Sequence, residues 1–214
     1  MMKRTYALAG LGLSALVLAS CDSENNEEVQ SAVNEVDQIH DELITNFNTL
    51  TEEEAALQSA FDETMNSDQE LTTLSDGSAQ VFQNISSRRE ILDSISSLDE
   101  QFAAQEEIIT AYEGETLSAQ ELDGLVSQID TLSSQIDGFI EDYTPTLTAQ
   151  EDYFTSLGQE EATYETFTDG ITELNEQTSS LQERWMSVDE ALASLDTSIS
   201  ETQSMIESAL SENE

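Results

Sequence analysis

Basic side chains are almost missing from this chain. Of 214 residues only 5 are Lys or Arg, against 46 Asp or Glu, and the formal net charge is −41. Lys3 and Arg4 stand at the N-terminus, so the body of the chain keeps Arg88, Arg89 and Arg184 and no lysine. Nucleic-acid binding needs a basic face to neutralise phosphates and is excluded. Adsorption of the acidic body to an anionic membrane surface is excluded for the same reason. Cys21 is the single cysteine, so no intrachain disulfide can form. One proline and 8 glycines leave few turns, which argues against many short strands. His40 is the single histidine, which removes a multi-histidine metal cluster and paired-histidine acid–base chemistry. Phosphate-cradling glycine loops, Cys pairs, HExxH and GxSxG are absent too. The expectation is a protein that is not an enzyme and that holds no cofactor.

What is present starts with Met1-Met2-Lys3-Arg4 and the apolar run Tyr6 to Leu18. That run is too short to span about 30 Å of hydrocarbon and has the form of a secretory signal. It ends in Leu18-Ala19-Ser20-Cys21, which resembles the lipobox of bacterial lipoproteins. The resemblance implies that residues 1–20 are a signal peptide and that Cys21 takes a diacylglyceryl group, with Leu18, Ala19 and Ser20 as the recognition residues. Residues 21–28 then read as the lipidated cysteine and a short acidic tether without hydrophobic residues. Two acyl chains, at about 0.8 kcal/mol per buried CH₂, hold a protein stably. The expected location is therefore the outer face of the cytoplasmic membrane, reached through lipid.

Residues 29–214 read as one α-helical domain. Val29, Val33, Val36, His40, Leu43, Phe47 and Leu50 recur at steps of four and three, and Leu57, Phe61 and Leu71 extend them. Such a seam keeps one stripe against a partner helix. Ser75 to Ser78 (SDGS) reads as a turn. A second seam holds Ile91, Ile95, Leu98, Phe102, Ile109 and Tyr112. Ser118 and Glu121 then form a capping-box pattern before Leu125, Ile129, Leu132, Ile136, Phe139 and Tyr143. Pro145 should kink or interrupt that third helix. The fourth series runs from Tyr164 through Phe167, Ile171, Leu174, Thr178, Leu181, Trp185, Val188, Leu192, Leu195, Ile199 and Ile206. The predicted fold is all-α: an elongated antiparallel helical bundle or coiled coil of three to four long helices.

Candidate chemistry is sparse. The acidic runs Glu52 to Glu54, Glu106-Glu107 and Glu160-Glu161 read as solvated helix faces, because no calcium loop or aromatic-lined sugar cleft accompanies them. His40 and Trp185 read as seam residues, and the three arginines as ion-pair partners. The lipobox, the long helices, the tyrosine-rich stretch Tyr143 to Tyr164, Ile171 to Glu176, and Trp185 to Ile199 together resemble the YkyA-type cell-wall-binding lipoproteins of bacilli and relatives. The resemblance implies a membrane-anchored helical spacer or adaptor in the cell envelope. Its expected partners are the membrane, through lipid, and either a cell-wall polymer or an envelope protein. With 46 acids against three arginines after residue 21 the mature body carries −43, so an anionic wall repels it. Weakly bound divalent cations offer a bridge between carboxylate and phosphate oxygens. The alternative is an acidic module that sequesters cationic peptides or divalent cations at the cell surface.

Overall fold

A computed structural model describes the backbone of residues 16–211 and the side chains of residues 25–211. Among the described residues every regular element is a helix: α1 (Leu16–Ser67), α2 (Thr72–Ser75), α3 (Gln80–Thr110), α4 (Ala119–Leu157) and α5 (Tyr164–Ser211). Cross-helix bonds fix their directions. Asn84 Nδ2 donates to the Glu53 carbonyl at 2.7 Å, and Tyr112 Oη donates to Asn26 Oδ1 at 2.8 Å, so α1 and α3 are antiparallel. Arg89 pairs with Glu151 between α3 and α4, and Arg184 with Asp142 between α5 and α4, each at 2.6 Å. Gln203 Nε2 donates to Asp37 Oδ2 at 3.1 Å, which closes the ring from α5 back to α1. Each of the four long helices α1, α3, α4 and α5 is thus antiparallel to both neighbours, the arrangement that short turns favour.

One end of this bundle gathers the starts of α1 and α4 with the ends of α3 and α5. The other end gathers α2, the starts of α3 and α5, and the ends of α1 and α4. The 52 residues of α1 rise about 78 Å at about 1.5 Å each. No helix among the described residues is long and apolar enough to cross a membrane.

The predicted seams form most of the core. Val29, Val33, Val36, Leu43, Phe47 and Leu50 are buried from α1, and Leu125, Ile129, Leu132, Ile136, Phe139 and Tyr143 from α4. Phe47, Phe139 and Trp185 meet edge to face, with ring centroids 4.7–5.6 Å apart, so α1, α4 and α5 share an aromatic knot.

Several expectations are corrected. The helical stretch of α1 covers the segment expected to be a tether, and Asn26 is buried there, because Tyr112 Oη binds it and also accepts the Leu117 N–H at 3.0 Å. On α3 the buried stripe runs through Val81, Ile85, Arg88, Leu92 and Ile95, which leaves Ile91 half-buried. Pro145 does not interrupt α4. It lies exposed, so water can satisfy the carbonyl that loses its partner, while Tyr143, Thr146 and Leu147 anchor the helix on the opposite face. Ser118 is the N-cap of α4 but makes no side-chain cap bond; its carbonyl accepts the Glu121 N–H at 3.1 Å. The reciprocal cap is found at α5 instead. There Thr166 N–H donates to Thr163 Oγ1 at 3.1 Å and Thr163 N–H to Thr166 Oγ1 at 3.2 Å.

The turn at Ser75 to Ser78 is as expected: Gly77 sits at φ 78°, and Asp76 Oδ1 accepts the Ser78 N–H at 3.0 Å. Just before it, Asp68 Oδ2 accepts both the N–H and the hydroxyl of Thr73, at 2.6 and 2.8 Å. Those bonds hold the Asp68 carboxyl below its ordinary range.

Candidate functional site

Among the described residues, two places hold the most developed polar chemistry. The first is a groove of about 610 Å³ between α1 and α5. Its floor is Phe47, Trp185, Val188 and Leu192, and its rim carries Asp41, Asp189 and Asp196. Ile44 and Met186 remain exposed along it, Met186 by 58%. An apolar trough with a carboxylate rim suits an occupant that is apolar along one side and cationic along the other. Trp185 was expected to be core; it is half-buried and serves the aromatic knot and the groove wall together.

His40 closes one end of this groove. It occupies the seam position expected of it and is 2% exposed. Its Nε2 lies 3.1 Å from the Leu192 carbonyl oxygen on α5, while its Nδ1 is buried without a hydrogen-bond partner. Asp37 and Asp41 stand on the same face of α1, at the i−3 and i+1 positions.

The second place is the interior around Arg88, which is 1% exposed. The expectation of an ion-pair role holds for Arg89 and Arg184 but not for Arg88. Its guanidinium donates to Tyr143 Oη at 3.3 Å and to Gln150 Oε1, both on α4. Tyr143 Oη in turn donates to Glu54 Oε1 on α1 at 2.8 Å. Burial pushes the Glu54 carboxyl above its ordinary range, opposed by the Tyr143 hydrogen bond and the Arg88 charge. Burial likewise pushes the Tyr143 hydroxyl well up. This arrangement ties α1, α3 and α4 together in the interior.

The acidic runs divide. Glu160 and Glu161 are exposed as expected, whereas Glu53 and Glu54 are half-buried and accept bonds from Asn84 and Tyr143. Between α3 and α4, Asp99 and Glu106 are both raised, first by burial and then by neighbouring carboxylates, Asp137 and Glu100 for Asp99 and Asp130 for Glu106. The side chains of Leu18, Ala19, Ser20 and Cys21 lie outside the described residues, and so does the run 1–15.

The fold and its lateral groove define an all-α helical-bundle protein. The chain belongs to the YkyA family, whose description is "Putative cell-wall binding lipoprotein" and whose pattern matches residues 24–205. Neither the curated proteins nor the solved structures provide a match.

Proposed function

We propose that this protein is a lipid-anchored, non-enzymatic spacer or adaptor of the cell envelope. Diacylglyceryl-modified Cys21 holds it to the outer face of the membrane, and the far end of the bundle reaches toward the wall. The observation that carries this reading is polarity along the bundle. The Cys21 end holds the start of α1, whereas Met65, Tyr164 and Ile171, three of the exposed large hydrophobic residues, stand at the opposite end. The family description supports wall association. The charge of the body then makes that association depend on millimolar divalent cations, which bridge its carboxylates to wall phosphates.

Co-sedimentation of the protein with purified walls tests the bridging. Binding should fall sharply in chelator and when the anionic polymer is stripped; undiminished binding in chelator removes the bridge. The anchor has its own test. Cys21→Ser should abolish labelling by a fatty-acid analogue, and retained label would refute the anchor.

The groove favours a second reading, capture of cationic amphipathic peptides, since Asp41, Asp189 and Asp196 surround an apolar floor. A groove variant such as Met186→Lys, which sets a like charge against a cationic occupant, should weaken peptide capture and leave wall binding unchanged.

A further inference from the structure

Asp37 stands three residues before His40 and four before Asp41, the two helical spacings that place side chains side by side on α1. One ligand atom from each of the three lies within 4.8 Å of the other two, and His40 Nδ1 is 3.9 Å from Asp41 Oδ1. A carbonyl oxygen can only accept, so the hydrogen bond to Leu192 places the imidazole proton on Nε2. In the neutral ring Nδ1 then presents a lone pair, and that lone pair is buried without any partner. A buried acceptor without a partner costs free energy, and a cation bound at Nδ1 would remove that cost.

The surroundings match those of a metal-bound imidazole. Ligating histidines usually donate their second N–H to a backbone carbonyl or carboxylate, which fixes the tautomer, and ligating carboxylates are themselves hydrogen-bonded. Here Leu192 supplies the carbonyl and Gln203 Nε2 holds Asp37 Oδ2 at 3.1 Å, both from α5. Asp41 is the adjustable member, its side chain 80% exposed at the groove rim. Metal–ligand distances of about 2.0–2.1 Å bring tetrahedral ligands to about 3.3–3.4 Å from one another. Rotation of the exposed Asp41 side chain would shorten its distances to the other two ligands, and a small shift of the half-buried Asp37 carboxylate would close the remaining gap to His40.

We infer that Asp37, His40 Nδ1 and Asp41 bind one divalent transition-metal ion of the zinc class, with water completing its coordination. One imidazole with two carboxylates favours Zn²⁺ over Ca²⁺ and Mg²⁺, which prefer oxygen-only shells. The site is distinct from bridging by scattered carboxylates and stands whether or not the wall reading holds.

Because His40 is the single histidine, its ring nitrogens can be followed in the full-length, detergent-solubilised protein by ¹⁵N NMR. Zn²⁺ is the probe, added with excess Mg²⁺ to occupy the scattered carboxylates. The expected result is saturation at one equivalent, a large shift of Nδ1, retention of the proton on Nε2, and reversal by chelator. By calorimetry, Asp41→Asn and Asp37→Asn should each weaken zinc about tenfold or more, and Gln203→Ala about tenfold. Asp41 is exposed, so its variant remains informative even if His40→Gln fails to fold. An Nδ1 resonance that stays put while zinc is taken up, or unchanged affinity in Asp41→Asn, would overturn the site and assign the zinc to surface carboxylates only.

Discussion

The two halves of α5 carry the same spacing and meet different fates. From Leu181 to Ile206 the seam residues Leu181, Val188, Leu192, Leu195, Ile199, Thr202 and Ile206 are buried, with Trp185 half-buried between the first two. From Tyr164 to Thr178 the pattern continues in sequence, yet Tyr164 is 82% exposed, Ile171 37%, and Thr178 is exposed too. A seam in sequence states which stripe is apolar, while burial depends on what stands opposite. Opposite the second half stand the dense seam of α1 and the aromatic knot. Opposite the first half, Leu57 and Phe61 of α1 are themselves only half-buried, and Tyr153 is the main support, its hydroxyl donating to the Phe167 carbonyl at 3.3 Å.

The largest effect that would break this contrast comes from a charge in each half. Leu195→Asp places a carboxylate at a fully buried position and should cost roughly 4–5 kcal/mol, enough to unfold the bundle. Ile171→Asp, at a half-open position of the same stripe, should cost no more than about 1 kcal/mol. Urea unfolding followed by circular dichroism measures both. Equal costs would mean that the first half of α5 is covered as tightly as the second.

How much of this was legible in the sequence follows from the same contrast. The seams of α1 from Val29 to Leu50 and of α4 read correctly because their stripes are fully covered. Leu57 and Phe61 are instead half-buried, and Leu71, expected to extend the first seam, lies beyond the end of α1 at φ 54°. Arg88 did not read correctly, since a cation at a heptad position looks like an exposed residue until Tyr143, Gln150 and Glu54 are seen converging from elements 34–62 residues away along the chain. The Ser118 cap failed for a local reason: the carbonyl met the N–H groups before the hydroxyl did. The Thr163–Thr166 cap escaped notice because Thr stands where Glu or Gln marks the pattern. Asp37, His40 and Asp41 are visible as a spacing, but the Leu192 carbonyl that sets the imidazole tautomer lies 152 residues away.

Glycine substitutions sharpen the comparison at intermediate size. A Cβ on Gly158, at the end of α4, would meet the backbone of Ser75 and Leu74, which cannot yield as a side chain tip does. Gly158→Ala should therefore cost about 1–3 kcal/mol and loosen the end that carries α2. A Cβ on Gly124 meets nothing within 4 Å, and the residue lies inside α4. Gly124→Ala should stabilise by about 0.5–1 kcal/mol. If both variants moved the urea midpoint in the same direction, the close approach of Gly158 to α2 would be disproved.

The smallest expected effect is a dependence on pH centred on the contact of α3 with α4. Asp99, Glu106 and Glu54 have carboxyls raised by burial, so the folded state binds their protons more tightly than the unfolded chain does. Their contribution to stability is fully present below the ordinary carboxylate range and is lost as pH rises through the raised values. Asp68 runs the other way. Its lowered carboxyl contributes above the ordinary value of 3.8 and loses that contribution only in stronger acid. As pH falls from about 7.5 toward the ordinary carboxylate range the raised groups therefore set the direction, and relief of self-repulsion in so acidic a chain adds to it. The melting temperature should rise by a few degrees over that interval as pH falls. Asp99→Asn removes one of the raised groups while leaving an amide to meet Ser133. It should be more stable than the parent at about pH 7.5 and gain less on acidification. A parent protein that melts lower at about pH 5 than at about pH 7.5 would show that the α3–α4 carboxylates are solvated and place the pH response elsewhere in the bundle.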